Sequence, residues 1–175
     1  MAKRKKIKTK ILFFLILVVV IFFSIKRVFF PIKEITNSDE KRINLCRVIG
    51  VYDGDTIKVK FPNGSINKIR LIGVDCPELD TDREEIRVFA NIAKRFTYIK
   101  LFKKRVKLAH DWEFKDKYGR ILAYVWINET LFNELIIKEG FAFSFLKFPF
   151  RKDFQERFQE AEKIVNIAND LVKND

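Results

Sequence analysis

Residues 56–78, TIKVKFPNGSINKIRLIGVDCPE, combine a hairpin pattern with acidic residues. The runs TIKVKF and NKIRLIGV are rich in β-branched residues, which favour strands, and Asn63-Gly64 between them is a strong hairpin signal. The second run leads directly into VDCPE, so Asp75 and Glu78 are expected where a strand gives way to a loop. This stretch therefore predicts two antiparallel strands with carboxylates at the exit of the second.

Three further runs outside this stretch are typical of strands. They are CRVIGVY (46–52), RVKLAHDW (105–112) and RILAYVWI (120–127). Five strands, with a helical segment between the third and the fourth, suggest a small closed Greek-key barrel of the OB type. We therefore predict an α+β fold, in which a five-stranded barrel is decorated by about three helices and preceded by an N-terminal hydrophobic helix.

Three segments after the hairpin have the periodicity of helices. Apolar residues at helical spacing predict an amphipathic helix over 85–102, and its predicted apolar stripe consists of Ile86, Phe89, Ala93, Phe96 and Ile99/Lys100. Thr130 is expected to cap a short helix, LFNELIIKEG, that ends at Gly140. A last helix begins at about Arg151. Its predicted apolar stripe consists of Phe154, Phe158, Ala161, Val165, Ala168 and Val172.

The chain of 175 residues has a formal net charge of +12, but this charge is unevenly distributed. Residues 1–33 contain nine Lys and Arg residues and no acid, which leaves 26 basic and 23 acidic residues in 34–175. Most of the basicity therefore belongs to an N-terminal appendage and not to a nucleic-acid face of the domain. The length and a hydrophobic content of 48% fit one ordinary domain with a core.

The N-terminal appendage divides into three segments. A basic flank at 1–10 precedes a hydrophobic segment at 11–30, whose uninterrupted apolar run of 15 residues would be about 22 Å long as a helix. This run is short for a membrane span, which needs about 20 residues, so it is either an uncleaved anchor or the core of a cleaved signal peptide. Residues 31–44 are a polar linker to a domain at 45–175.

The distribution of basic residues around the hydrophobic segment predicts the orientation of the chain. More positive charges precede the segment than follow it, which keeps the N-terminus cytoplasmic and places the domain outside. We expect a single-pass protein of the cell membrane, held in the lipid bilayer by 11–30, with an extracytoplasmic domain. Cleavage of the segment would make the protein a secreted one.

Acidic and arginine side chains are predicted at the ends of several strands. Asp55 opens one strand, Asp75 lies at the end of the next, and Glu78 follows. Two carboxylates from different strands form an oxygen site for a hard divalent cation such as Ca²⁺, and a third could take a proton from a water molecule. Arg70 and Arg120 supply guanidinium groups that match phosphate oxygens. Each residue alone is typical of a turn or a surface ion pair, but together they predict phosphodiester hydrolysis.

Four motifs occur in an order that points to a known family. DGDT (53–56), RLIGVDCPE (70–78), DKYGRILAYV (116–125) and LFNELIIKEGFA (131–142) resemble the staphylococcal nuclease (thermonuclease) family, and the resemblance covers residues 46–168. It implies a barrel with three helices. It also implies hydrolysis of single-stranded DNA and RNA at the P–O5′ bond, which gives 3′-phosphorylated products.

The same resemblance implies roles for eight residues. These roles are calcium binding by Asp55, Asp75 and the backbone carbonyl of Cys76, general base catalysis by Glu78, binding of the scissile phosphate by Arg70 and Arg120, and contact with the terminal phosphate of the nucleotide by Lys117 and Tyr118. We therefore expect a calcium-dependent nuclease that acts on single-stranded DNA or RNA, and we expect it to be a monomer.

The chain departs from the family pattern at three places. Cys76 stands where a threonine is usual, which should be tolerated if only the backbone carbonyl binds the metal. The loop LDTDREE (79–85) is acidic where lysines are expected, which should weaken the grip on a polyanion. A tyrosine that stacks near a base is replaced by Leu146 or Phe148, and Phe148 would either stack on a base or belong to the core.

Several alternatives remain open from the residues alone. The domain could be a non-catalytic barrel that binds nucleic acid or protein, although such relatives usually lose the acids or arginines retained here. Cys46 and Cys76 could form a disulfide outside the cytoplasm or remain thiols. Trp112 and Trp126 are expected in the core or the barrel wall and not as stacking platforms.

Overall fold

A computed structural model describes residues 44–173 of the chain. The predicted basic flank, the hydrophobic segment at 11–30 and nearly all of the linker lie outside the described residues. Within 44–173, no helix is long and apolar enough to cross a membrane.

Residues 44–173 form eight strands and three helices. In chain order these are β1 (Asn44–Val51), β2 (Thr56–Lys60), β3 (Ile66–Leu71), β4 (Val74–Asp75), α1 (Glu84–Leu101), β5 (Arg105–Ala109), β6 (Ile121–Ile127), β7 (Thr130–Leu131), α2 (Phe132–Lys138), β8 (Phe143–Ser144) and α3 (Lys152–Lys173). The five predicted strands and three predicted helices are all present. The third predicted strand, however, is broken at Ile72-Gly73 into β3 and β4.

Five of the strands close into a barrel. β1 lies between β2 and β5 and is antiparallel to both, β3 is antiparallel to β2, and β6 is antiparallel to β5. A parallel pairing of β6 with β3 closes the ring. Consecutive strands β1 to β3 thus form a meander, and the chain returns by β5 to the far side of β1, which confirms the closed OB-like barrel. β4 and β8 form a separate two-stranded ribbon.

The barrel interior is filled by alternating apolar side chains from all five strands, as the period of two predicts. Fully buried examples are Val48, Ile57, Val59, Ile69, Leu108 and Val125. The hairpin between β2 and β3 turns at Asn63-Gly64, where the Gly64 amide donates to the Phe61 carbonyl at 2.9 Å. The turn prediction is confirmed, and it fixes the register that brings Arg70 opposite Thr56.

The helices pack on the outside of the barrel. In α3, the predicted stripe is confirmed for Phe154, Phe158 and Ala161, which are buried. In α1, the prediction for Phe89 is wrong, because Phe89 is 36% exposed and the buried residues include Ala93 and Thr97. Small side chains face the barrel here since the helix approaches the loop after β1 too closely for a phenylalanine.

The start of α2 also differs from the prediction. Thr130 pairs with Ile127 in the short ladder between β6 and β7, so its backbone is extended and its side chain caps nothing. The residue before the helix is Leu131, which makes no side-chain capping bond. Gly140 ends the helix as predicted, with its amide donating to Ile137 at 2.8 Å.

Candidate active site

Asp55 is the buried carboxylate of the site. It follows the loop between β1 and β2 and is 5% exposed. One carboxylate oxygen accepts a hydrogen bond from the Thr56 hydroxyl at 2.9 Å, and the other accepts one from the Cys76 amide at 3.0 Å. The same carboxylate forms an ion pair with Arg70. Asp55 therefore connects the loop before β2 to Cys76, which lies 21 residues further along the chain. The Thr56 hydroxyl supports the same carboxylate.

Close packing against α1 fixes the loop that presents Asp55. The Thr97 hydroxyl donates to the Gly54 carbonyl at 2.7 Å, and Thr97 is fully buried. A Cβ atom at Gly54 would lie 2.5 Å from the Cys76 sulfur and 3.0 Å from the Ala93 Cβ. Only glycine fits at position 54, because any side chain there would collide with Cys76 and Ala93.

Arg70 contacts both carboxylates of the site. Its Nη1 pairs with Asp55, and its Nη2 lies 3.2 Å from Asp75, whose side chain is 47% exposed. Nη1 is buried and makes no hydrogen bond of good geometry. Burial, followed by repulsion from the charge of Arg120, lowers the pKa of Arg70, while Asp75 opposes the change. Even so, a guanidinium stays protonated in proteins. Arg70 thus holds a largely buried positive charge between the two carboxylates.

The donor set of Asp55 and Asp75 fits a hard divalent cation. Both supply carboxylate oxygens, and both face the single positive charge of Arg70, so the protein already draws them towards one point. Ca²⁺ takes six to eight oxygen ligands, which the protein alone does not provide here. No group of three or more His, Cys, Asp or Glu residues in the described part of the chain is arranged around a metal. The residues therefore fit an open site completed by water or substrate, not a closed protein cage.

Arg120 is held by a compact loop built around Asp116. One oxygen of Asp116 accepts the backbone amides of Tyr118 at 2.9 Å and Arg120 at 3.0 Å, and the other accepts the Arg120 Nε at 2.7 Å. Burial alone would raise the pKa of Asp116, but hydrogen bonds from the Arg120 side chain and backbone hold that pKa below its ordinary value. An ionised Asp116 thereby fixes the direction of the Arg120 side chain.

A cavity of about 470 Å³ joins the two arginines. Its lining includes Arg70, Arg120, Lys117 and Tyr118, so the structure brings these four predicted residues together. Tyr118 is 72% exposed, and the Arg120 guanidinium lies 5.4 Å from its ring centre. The volume is that of a small-molecule site, large enough for a nucleotide.

Two further aromatic side chains line the same cavity. Trp112 is 59% exposed, so its prediction as a core residue is wrong: β5 ends at Ala109 and the chain leaves the sheet before the tryptophan. Phe148 is also 59% exposed and lies in the cavity wall, which excludes the core alternative for it. Leu146 is outside the lining. The lining of the cavity therefore combines charged groups with exposed aromatic rings.

Glu78 and Cys76 follow β4. Glu78 is exposed, and it makes no hydrogen bond or ion pair with the described part of the chain. Cys76 is buried, and its amide contributes the hydrogen bond to Asp55. Cys76 and Cys46 are both free thiols, and burial raises the pKa of each to about 12. Cys46 and Cys76 therefore do not form a disulfide with each other in this structure.

Two polar residues that support the site were not predicted from the sequence. Asp111, at the cavity, accepts hydrogen bonds from the Tyr124 hydroxyl at 2.7 Å and the Arg151 amide at 2.9 Å. Asn133 is fully buried, accepts the Val125 amide at 2.8 Å and donates to Ile72 at 2.9 Å. The sequence contained one signal for Asn133, which is its polar side chain within the apolar run LFNELII. A buried amide side chain needs hydrogen-bond partners, so such a position indicates a structural contact.

Comparisons with known proteins agree with this geometry. Residues 68–168 match the family model of the staphylococcal nuclease homologues. The chain is 36% identical to the thermonuclease of Staphylococcus hyicus over 172 residues, which is 97% of each chain. It is 40% identical to the thermonuclease of Staphylococcus intermedius over 79% of this chain and 80% of the relative. It is 34% identical to Endonuclease YncB of Bacillus subtilis over 61% of this chain and 50% of that protein. The chain therefore belongs to the staphylococcal nuclease family.

Proposed function

We propose that this protein is a calcium-dependent nuclease that hydrolyses single-stranded DNA or RNA. The observation that carries the proposal is the position of Arg70, which contacts Asp55 and Asp75 and lines one cavity with Arg120. Two arginines on one cavity supply charge where the phosphate of a substrate would develop its negative charge. The thermonucleases among its relatives support the same activity.

Each site residue then has a chemical task. Asp55, Asp75 and the Cys76 carbonyl would hold Ca²⁺, which supplies positive charge to a phosphate oxygen when it is bound. Glu78 is exposed and free to accept a proton from the attacking water molecule. The oxygen of that water bonds to phosphorus as the P–O5′ bond breaks. The products are a 3′-phosphate and a 5′-hydroxyl, and the 5′ oxygen takes up a proton.

The arginines and aromatic residues would position the strand. Arg70 and Arg120 bind the scissile phosphate through their guanidinium groups, and the negative charge that grows at phosphorus strengthens both contacts. Lys117 and Tyr118 border the cavity and would contact the terminal phosphate of the nucleotide. Exposed rings at Trp112 and Phe148 offer faces on which unpaired bases can stack, which favours single strands.

We further propose that the enzyme acts as a monomer on the outer side of the cell membrane. The hydrophobic segment at 11–30 would tether it to the lipid bilayer, and cleavage of that segment would release it. Mass spectrometry of the mature N-terminus distinguishes the tethered form from the secreted form.

The site assignment is tested by two substitutions in the full chain, purified in mild detergent. Glu78→Gln and Arg120→Ala should each lower kcat on a single-stranded oligonucleotide by about 10²-fold or more, because each removes a group that acts in the transition state. Matched controls are Glu85→Gln and Arg95→Ala, whose side chains are exposed on α1. Both controls should keep wild-type kcat.

Two outcomes would refute the assignment. Undiminished hydrolysis by both site variants would show that other residues carry the reaction. Tight, calcium-dependent binding of the oligonucleotide by the wild type without any cleavage would favour the non-catalytic barrel instead.

A further inference from the structure

Four neighbouring strands of the barrel carry basic residues and no acid. β1, β2, β3 and β5 contain no Asp or Glu between them. Besides Arg70, their basic residues are Arg47, Lys58, Lys60, Lys68, Arg105 and Lys107. The net charge of residues 34–175 is only +3, but the charged residues of these four strands are all basic. Most of the basicity of the chain belongs to its N-terminal appendage, yet the domain also has a basic face.

The register places several of these cations directly opposite one another. Lys58 pairs with Lys68 across β2 and β3, Lys60 pairs with Arg47 across β1 and β2, and Arg47 pairs with Arg105 across β1 and β5. Like charges at directly opposite positions destabilise a sheet. None of these five residues forms an ion pair with the described part of the chain. An anionic partner on this face would remove the repulsion.

The row of cations is continuous with the candidate active site. Lys68 and Arg70 are two residues apart on β3, so they project from the same side of the strand. From Arg70 the row runs through Lys68 and Lys58, then along β2 to Lys60, and across β1 to Arg105. Two steps of about 7 Å along strands and three of about 5 Å between strands give a path of roughly 29 Å.

Both ends of this row have features that suit a nucleotide. Near the active site, the Lys68 ammonium lies 4.4 Å from the ring centre of Tyr52, which is 37% exposed. At the far end, Arg47, Lys60 and Arg105 surround a second cavity of about 430 Å³. Apolar groups complete its lining, namely Leu45, Cys46, Phe61 and Pro62. It shares no residue with the first cavity.

We propose that the cationic track, formed by Arg47, Lys58, Lys60, Lys68 and Arg105, binds the phosphate backbone of the substrate strand outside the active site. The inference rests on the proposed nuclease function for the identity of the polyanion. Single-stranded nucleic acid is bound by a positive groove with aromatic faces beside it, and both are present here. An anionic membrane surface would explain the charges but not their continuity with Arg70.

The track should matter only for substrates long enough to reach it. A tetranucleotide fills the site around Arg70 and Arg120, whereas a strand of about thirty nucleotides extends over the whole row. The test compares the KM values of the two substrates for the full chain and for a track variant, Arg47→Gln/Lys58→Gln/Lys60→Gln. A control variant, Arg95→Gln/Lys152→Gln/Lys163→Gln, removes the same charge from exposed positions on α1 and α3.

For the track variant, we expect the ratio of the long-strand KM to the tetranucleotide KM to rise by roughly 10- to 100-fold at moderate salt. The slope of log KM against log salt for the long strand should become shallower by about 2, since each lost contact to a single strand contributes about 0.7. The control variant should change neither quantity. Circular dichroism checks that each variant is folded. If the triple variant is unfolded, the single variant Lys60→Gln replaces it and should change the slope of log KM against log salt by about a third as much.

Three outcomes would overturn the track. The first is an unchanged KM ratio in the track variant, and the second is an equal rise of that ratio in the control variant. The third is a track variant that binds phosphatidylglycerol vesicles more weakly but keeps the wild-type KM for the long strand. The last would assign the face to the membrane. Binding of both substrates is also measured in chelator. If the wild type cleaves nothing in calcium but still binds the long strand through the track in chelator, the nuclease proposal fails and the track stands.

Discussion

The two halves of the candidate active site are built in opposite ways. The acid half consists of Asp55, Arg70 and Asp75, which come from the loop before β2, from β3 and from β4 and meet only in the folded barrel. The Asp116 loop, residues 116–120, is organised by one carboxylate that accepts two amides and the Nε of the arginine within five residues of sequence. The acid half therefore depends on the integrity of the core, whereas the Asp116 loop depends on local hydrogen bonds.

This difference predicts how each half fails. Damage to the acid half should lower the free energy of unfolding, because Asp55 and most of the Arg70 side chain are buried and the loop before Asp55 packs against α1. Damage to the Asp116 loop should lower activity while leaving the fold nearly intact. The following predictions run from the largest expected effect on stability to the smallest.

Asp55→Asn should be the most destabilising change in the site. It leaves the buried Arg70 without its closest counter-ion, and loss of one member of a buried pair costs about 3 kcal/mol or more. Asp75→Asn is the matched control, since its half-exposed carboxylate is largely solvated and should contribute under about 1 kcal/mol. Urea denaturation of both variants measures the difference. Equal stability of the two would show that Asp55 is not structurally coupled to the core.

Alanine at two glycines compares the halves directly. Gly54→Ala forces a Cβ against the Cys76 sulfur and should cost about 2 kcal/mol through overpacking. Gly119→Ala meets nothing within 4 Å but requires a φ of +75°, which should cost about 1 kcal/mol. Thermal unfolding reports both values. A larger cost at Gly119 would contradict the view that packing, not local conformation, governs the acid half.

Asp116→Asn should reduce kcat more than stability. The amide cannot hold the Arg120 side chain as a charged acceptor does, so we expect kcat to fall by roughly 10-fold or more and the unfolding free energy by under about 1 kcal/mol. Asp82→Asn, at an exposed position before α1, is the control and should change neither quantity. Loss of stability without loss of activity would argue against a positioning role.

The same residue sets a pH dependence of stability. The pKa of Asp116 is lower in the folded protein than its ordinary value of 3.8, so its ionised form stabilises the fold. This contribution is fully present above the ordinary pKa and is lost as the pH falls through the folded pKa. The stability difference between wild type and Asp116→Asn should therefore be constant near neutral pH and vanish in acid. A difference that grows in acid would contradict the assignment.

The last prediction concerns the chemical reactivity of the two buried thiols and involves no change in stability. Because Cys46 and Cys76 are buried with raised pKa values, neither should react with a thiol reagent at neutral pH in the folded protein. Both should react once the protein is unfolded in urea, with no reductant needed. Rapid labelling of one thiol in the native state would show that the loop around Cys76 opens.

The local half of the site could be predicted from the sequence, and the long-range half only in part. The hairpin turn at Asn63-Gly64 is encoded by neighbouring residues and is present as expected, and Arg120 was predicted as a site residue, although the role of Asp116 in holding it was not. The Arg70 and Asp75 positions came from motif spacing. Thr97 could not be found in this way, because its contact with Gly54 spans 43 residues and depends on the orientation of α1.

The orientation of α1 illustrates why such contacts escape sequence reasoning. Of the apolar stripe predicted from periodicity, Ala93 is buried but Phe89 is exposed, and the polar Thr97 is buried because the loop at Gly54 approaches the helix closely. The charge of the barrel strands escaped for a related reason, since only the strand register shows that Arg47, Lys60 and Arg105 are neighbours. The net charge of the domain does not show such a local concentration of basic residues.

The most direct test of the account is a digest of single-stranded DNA by the full chain in calcium and in excess chelator, with analysis of the product ends. The account predicts hydrolysis only in calcium, with 3′-phosphate and 5′-hydroxyl ends. Hydrolysis that persists in chelator, or products that carry 5′-phosphates, would contradict the roles proposed for Asp55, Asp75 and Glu78.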